Sequence, residues 1–275
     1  MANEMDHLIE SAPFVDPVPP WGSPGHGAAI GELGMQYEYD GEDLVGVGEI
    51  TEHMFVPGTS VVRTSVLATW ADFVTGTLSS ASFRPRICVT LDLDLHLSRQ
   101  PVGEGSVECR GSVVRAGRSI VIASVEFTML GEPSSFGFAH ASFMASPNPA
   151  HDVPLNRDLA SQSRFSALTM PWAERAGIVR TGPTSATVER QLEIVNPTGA
   201  IQGGVVAMLA EESILAGRPG EVLSSLALRY LSGLRGLSAT AEAEVNGDLA
   251  LATLIDHPRG RVATLATARL QPAAE

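Results

Sequence analysis

The sequence predicts an α+β protein made of two consecutive copies of one unit, each an antiparallel sheet wrapped around a central helix. Three observations carry this. Residues 196–215 run from an Asn-Pro turn through Gly199 and Gly203-Gly204 into a small, apolar stretch. There Val205, Val206, Met208, Leu209, Ile214 and Leu215 put apolar groups on more than one face, as a buried helix does. Residues 56–78 form a second such segment after a Pro-Gly turn, with Val62, Val66, Leu67, Trp70, Ala71 and Phe73 at near-helical spacing. Each helix is followed by a run of strand-like segments, a pattern in which the sheet must cover the helix.

The elements follow in order. Residues 1–30 are rich in proline and glycine and read as an extended arm, with Phe14 and Trp21 as its anchors. Residues 36–53 alternate in type around Asp40-Gly41, a strand pair. After the first helix, residues 87–98 alternate strictly, with Ile87, Val89, Leu91, Leu93, Leu95 and Leu97 on one face and Cys88, Thr90, Asp92, Asp94, His96 and Ser98 on the other. Three more strands follow, over 106–117, 118–130 and 136–144, broken at Ala116-Gly117 and Gly131 to Ser134. The polar, proline-containing residues 147–164 read as a linker between a first unit, 31–146, and a second, 165–275. In the second unit residues 184–195 read as a strand, 203–217 as the helix, and 221–232, 237–247, 249–257 and 261–270 as its strands. The duplication is concrete: Asp72 closes VVRTSVLATWAD as Glu211 closes AIQGGVVAMLAE.

Composition bounds the function. The chain has 275 residues, 44% of them apolar and 18% charged, which is ordinary for a soluble globular protein. A net charge of −13 argues against a general nucleic-acid or anionic-membrane binder, since both need basic surface. Cys88 and Cys109 have neither metal spacing nor a disulfide framework and read as buried free thiols. Met1 to Ser11 lack the charged and apolar regions of a signal peptide, and no apolar run approaches a membrane span, so the expectation is a cytoplasmic protein. Asp92, Asp94 and His96 share a strand face, but such residues are ordinarily solvated, and no metal is expected there. Arg229, Arg235, Arg259 and Arg261 are candidates to meet a phosphate.

The chemistry gathers at the second helix. Gly203 and Gly204 open it, so backbone N–H groups without an intrahelical partner can be approached closely. Glu211 lies in its interior. The run Asn196-x5-Gln202-Gly203-Gly204-x6-Glu211, on a turn into a buried helix followed by strands, resembles the hotdog-fold acyl-CoA thioesterases of the phenylacetate-pathway type. Their usual pattern is Asn-x5-His-Gly-Gly-x6-Asp. Gln202 replaces the histidine and Glu211 the aspartate. In the first unit Asp72 matches the acid, while Arg63-Thr64-Ser65 stands where His-Gly-Gly would be and Pro57 where the asparagine would be.

Eight residues separate Gly203 from Glu211, about 12 Å along a helix, whereas an oxyanion donor and an attacking group must both lie about 3 Å from the reacting atoms. One helix therefore cannot supply both. The resemblance implies that donor and acid come from different hotdogs, giving two unequal sites. Site one joins Asn196, Gln202, Gly203 and Gly204 to Asp72. The Gly203 N–H polarises the thioester carbonyl, Asp72 is general base or nucleophile, Asn196 holds the water or the loop leading into the helix, Gln202 donates where the family's histidine does, and Thr90 orients the water. Site two joins Glu211 to Arg63, Thr64 and Ser65, whose side chains stand where glycine would admit substrate; it is expected to be degenerate, with Arg63 and Glu211 in a structural ion pair. The activity implied is acyl-CoA thioester hydrolysis with no cofactor. A ligand-binding hotdog that has lost catalysis through Gln202 and Glu211 is the alternative. A hydratase is disfavoured because no histidine lies in either helix motif. Since the family often pairs dimers, a homodimer forming a pseudo-tetramer of hotdogs is implied as well.

Overall fold

The computed structural model describes residues 25–148 and 167–274. Most of the expected arm and linker, including Phe14 and Trp21, lies outside them. Among the described residues twelve antiparallel strands form one sheet, and two long helices lie against it. The first half comprises α1 (Ala28–Gly31), β1 (Met35–Asp40), β2 (Asp43–Ile50), α2 (Thr64–Phe83), β3 (Cys88–Leu97), β4 (Gly105–Ala116), β5 (Ile120–Met129) and β6 (Ser135–Ala145). The second comprises α3 (Trp172–Arg175), β7 (Ile178–Gly182), β8 (Ser185–Glu189), α4 (Gly203–Leu215), β9 (Glu221–Tyr230), β10 (Ser238–Asn246), β11 (Leu249–His257) and β12 (Arg261–Pro272). The order across the sheet is β1-β2-β4-β5-β6-β3-β9-β12-β11-β10-β8-β7, so each half has the same internal order and the halves join edge to edge at β3 and β9.

Alternation builds this sheet. Along β4 and β5 every second residue (Val107, Cys109; Val121, Ala123, Val125, Phe127) is buried against α2. Alanines dominate the inner face of the second half (Ala239, Ala241, Ala252, Ala266), where α4 lies. Both helices are apolar nearly all round because the sheet covers one side and the other helix the other. They run antiparallel and cross closely: a Cβ on Gly204 would overlap Thr69 Oγ1, and the Ser65 hydroxyl lies 3.5 Å from Met208 Sδ.

Three local expectations are corrected. Residues 25–31 form a turn and α1 rather than an extended arm, docked on the second half through Gly27 N–H to Leu192 O (3.1 Å) and the bidentate Arg175–Glu32 pair (both 2.7 Å). The strand expected over 184–195 stops at Glu189, and Leu192–Ile194 make a 3-10 turn. Ahead of it, α3 and β7 are too short to show periodicity. Strict alternation over 87–98 fails because a bulge at Leu91 breaks the β3–β6 register: Thr90 faces Phe143, and Asp92, not Leu91, faces Ser142. The extra residue puts Cys88 and Thr90 on the helix side together with Leu93 and Leu95. The same irregularity recurs at Ser224 of β9, between Leu223 and Ser225.

Candidate active site

Asp72, on the third turn of α2, comes to the first turn of α4 in the other half. A Cβ built on Gly203 would lie 3.0 Å from Asp72 Oδ2 and 3.2 Å from the Tyr230 hydroxyl, so only glycine leaves this point open. The hydroxyl of Thr90, turned inward by the bulge, donates to Asp72 Oδ1 at 2.8 Å. Burial pushes the Asp72 carboxyl up to about 6, against the opposing effect of the Thr90 hydrogen bond. It is ionised at neutral pH and still basic enough to take a proton.

Gln202 is the N-cap of α4. Its Oε1 accepts the Gly204 N–H at 2.6 Å, and its Nε2 points at Asp72 Oδ2 at 3.5 Å. Gly204 is therefore a packing residue, its N–H capped and its α-carbon against Thr69. The Gly203 N–H is one of those the helix leaves without an intrahelical partner, at the positive end of the dipole. Asn196 does not reach this point. Its Oδ1 accepts from Thr198 N–H (2.9 Å), the Thr198 hydroxyl (2.8 Å) and Ala200 N–H (3.2 Å), fixing the loop that leads into α4. Tyr230, which the sequence reading missed, donates to Gly203 O at 3.2 Å, and burial together with the Asp72 charge raises its phenol well above the usual tyrosine range.

The counterpart at the other end of the helix pair is closed. Glutamate is one methylene longer than aspartate, and Glu211 Oε1 reaches the Thr64 N–H itself at 2.9 Å, while Oε2 accepts from the Ser65 hydroxyl. The first-turn donor that Gly203 keeps open is thus consumed in α2. Thr64 Oγ1 donates to Leu223 O at 2.7 Å. Arg63, 1% exposed, sits 2.6 Å from Glu212 and 3.7 Å from Glu211; Arg180 reaches Glu212 at 2.5 Å. Desolvation raises Glu211 despite Arg63; for Glu212 burial opposes ionisation, but Arg63 and Arg180 outweigh it and hold the carboxyl below its usual range. Where the first half has Thr90 beside its bulge, the second has Leu223, which has no hydroxyl.

Among the described residues no group of three or more His, Cys, Asp or Glu side chains is arranged to hold a metal, and no helix is long and apolar enough to cross a membrane. Asp94 is instead paired with Arg229 (2.5 and 3.0 Å), which withdraws Arg229 from the phosphate candidates. Both cysteines are free, Cys109 buried and Cys88 half-buried against α2.

No family model matches the chain, and no curated protein matches it by sequence. Solved structures do match by shape. A 12:0-ACP thioesterase from Umbellularia californica superposes with a TM-score of 0.61 at 10% identity, over 86% of this chain and 100% of its own. An acyl-ACP thioesterase from Bacteroides thetaiotaomicron gives 0.58 at 9% identity, over 82% and 98%. The tesB protein of Mycobacterium avium subs paratuberculosis gives 0.56 at 13%, over 90% and 99%. At these identities the likeness is one of fold, the hotdog-like α+β fold of thioesterases.

Proposed function

We propose that the chain is two tandem hotdog units that hydrolyse an acyl-CoA thioester at a single site between them. The observation carrying this reading is the contrast between the two helix N-termini: Gly203 is open beside the Asp72 carboxylate, while the Thr64 N–H is capped by Glu211. The fold likeness to thioesterases supports the reaction class. The thioester carbonyl oxygen takes the Gly203 N–H, where the helix dipole favours developing negative charge. Asp72 removes a proton from water as the water oxygen attacks the carbonyl carbon. The tetrahedral intermediate collapses, the C–S bond breaks, and the thiolate leaves and takes up a proton. Thr90 fixes the carboxylate's rotamer; Gln202 ties the cap of α4 to the same group. Asp72 acting as nucleophile, through an acyl anhydride that water then opens, uses the same geometry.

Thiol release from a panel of short, long and aromatic acyl-CoAs, measured for wild type and Asp72→Asn, tests it. Turnover that falls by 10²-fold or more in the variant, the order general-base loss produces, supports the hydrolase. Saturable acyl-CoA binding with no turnover of any panel member would move the assignment to an acyl-CoA-binding protein.

A further inference from the structure

Three arginines of the described residues gather at one place in this acidic chain. Arg235, Arg259 and Arg261 converge where the loop after β9 lies against the β11–β12 turn. Burial first, then the charges of Arg261 and Arg259, hold the Arg235 guanidinium below the usual arginine range. One carboxylate shares the group. Asp256, 1% exposed, accepts the Gly236 N–H at 2.7 Å through Oδ1, and its Oδ2 lies 3.7 Å from Arg259 and 3.8 Å from Arg261. Arg190, alongside, donates to the carbonyls of Gly236 (2.9 Å) and Gly199 (3.3 Å). The guanidiniums outnumber the carboxylate. In the first half the corresponding β5–β6 turn carries Glu132 instead, ion-paired with Arg99.

The packing around the cluster is specific. Gly233 has no side chain where Arg235 crosses it, since a Cβ there would lie 2.6 Å from Nη1 and 3.1 Å from Ala200 Cβ. Arg235 donates to Thr198 O (3.4 Å) and Thr198 Oγ1 (3.0 Å), and Thr198 is in turn held by Asn196. The cluster therefore rests on the loop that ends at Gly203, with Thr198 no more than about 18 Å from it along an extended chain. The side chains of Arg259 and Arg261 remain 33% and 43% exposed, so they can reach an anion arriving from solvent.

We infer that Arg235, Arg259 and Arg261 form the subsite for the phosphate groups of coenzyme A, the thiol carrier of the substrate. This rests on the thioester hydrolysis proposed above. Like charges packed this closely repel until an anion joins them, and the guanidinium fork matches phosphate oxygens bidentately. A compact patch on a chain of net charge −13 suits a small phosphorylated ligand; an acidic carrier protein covering a wider area meets repulsion around it.

The test uses the double variant Arg259→Gln/Arg261→Gln, which leaves the Arg235 contact with Thr198 in place. Its substrates are one acyl group carried on coenzyme A and on phosphate-free pantetheine. Wild type should show the lower KM for acyl-CoA, and the double variant should raise that KM about tenfold, with kcat and the acyl-pantetheine KM unchanged. Equal KM values for the two thioesters in wild type, or no change in the variant, overturns the subsite. Titration with adenosine 3′,5′-bisphosphate at low salt keeps the two proposals separate. If neither thioester is hydrolysed, the hydrolase reading fails, while nucleotide binding abolished by the double variant still supports the subsite, and no binding to wild type overturns it.

Discussion

Among single residues, one methylene group separates the two helix starts. Asp72 stops beside its opposing helix N-terminus, and Glu211 reaches the opposing N–H and consumes it. The pKa of Asp72, about 6, gives this a pH signature. As general base it must be ionised, so kcat/KM should climb as pH rises through about 6 and then level off. Stability moves the other way. A carboxyl raised by folding contributes stability that is complete below its unfolded value near 3.8 and is lost as pH rises through about 6. Asp72→Asn should therefore be more stable than wild type at pH 8, by roughly 2 kcal/mol at most after solvent screening of a half-buried group, with the gain vanishing toward pH 4. Denaturant melts at the two pH values measure it; a variant less stable at pH 8 would show that Asp72 is a structural group. Gln202 and Gly203 stand out in sequence because their motif is contiguous, and Asp72 because it falls at the matching acid position of the first helix; the structure brings the three together. Tyr230 was not, since nothing local in β9 shows that its hydroxyl ends at Gly203 in space.

At the scale of elements, two adjacent glycines at one helix start carry different duties. Gly204 is needed where α2 and α4 cross, because a methyl group there has to displace Thr69. Gly203 is needed at the site, where a methyl group meets side-chain ends that shift by a few tenths of an ångström. Gly204→Ala should cost about 1–3 kcal/mol of stability, the usual range for overpacking, and Gly203→Ala should cost little stability but most of the activity. Urea melts paired with turnover separate them, and matching profiles for the two would contradict the division. The bulge at Leu91 marks the limit of periodicity as a guide. Alternation identified β3 correctly as a strand, yet the parity of Thr90 depends on one unpaired residue whose partner strand, β6, lies some 50 residues later. The helices were plain from their apolar surface, while α1, α3 and β7 are too short to leave a pattern.

At the scale of the molecule, the sheet order repeats across the β3–β9 join, and the antiparallel helices bring each acid to the other half's helix start. The repeated order was legible because a long helix followed by four strands occurs twice along the sequence. The divergence of the two halves in space was legible only in part, because Arg63-Thr64-Ser65 signalled a changed helix start but not the Glu211 cap or the buried Arg63–Glu212–Arg180 network that fills it. Such a network is costly to break from one side, so it is expected to hold the halves together rather than turn over substrate. The most direct measurement compares Asp72→Asn with Glu211→Gln on the best acyl-CoA of the panel, with activity expressed per folded molecule. Near-complete loss is expected in the first and near-wild-type turnover in the second. Equal losses, or loss only in Glu211→Gln, would contradict a single active site at the Asp72–Gly203 junction.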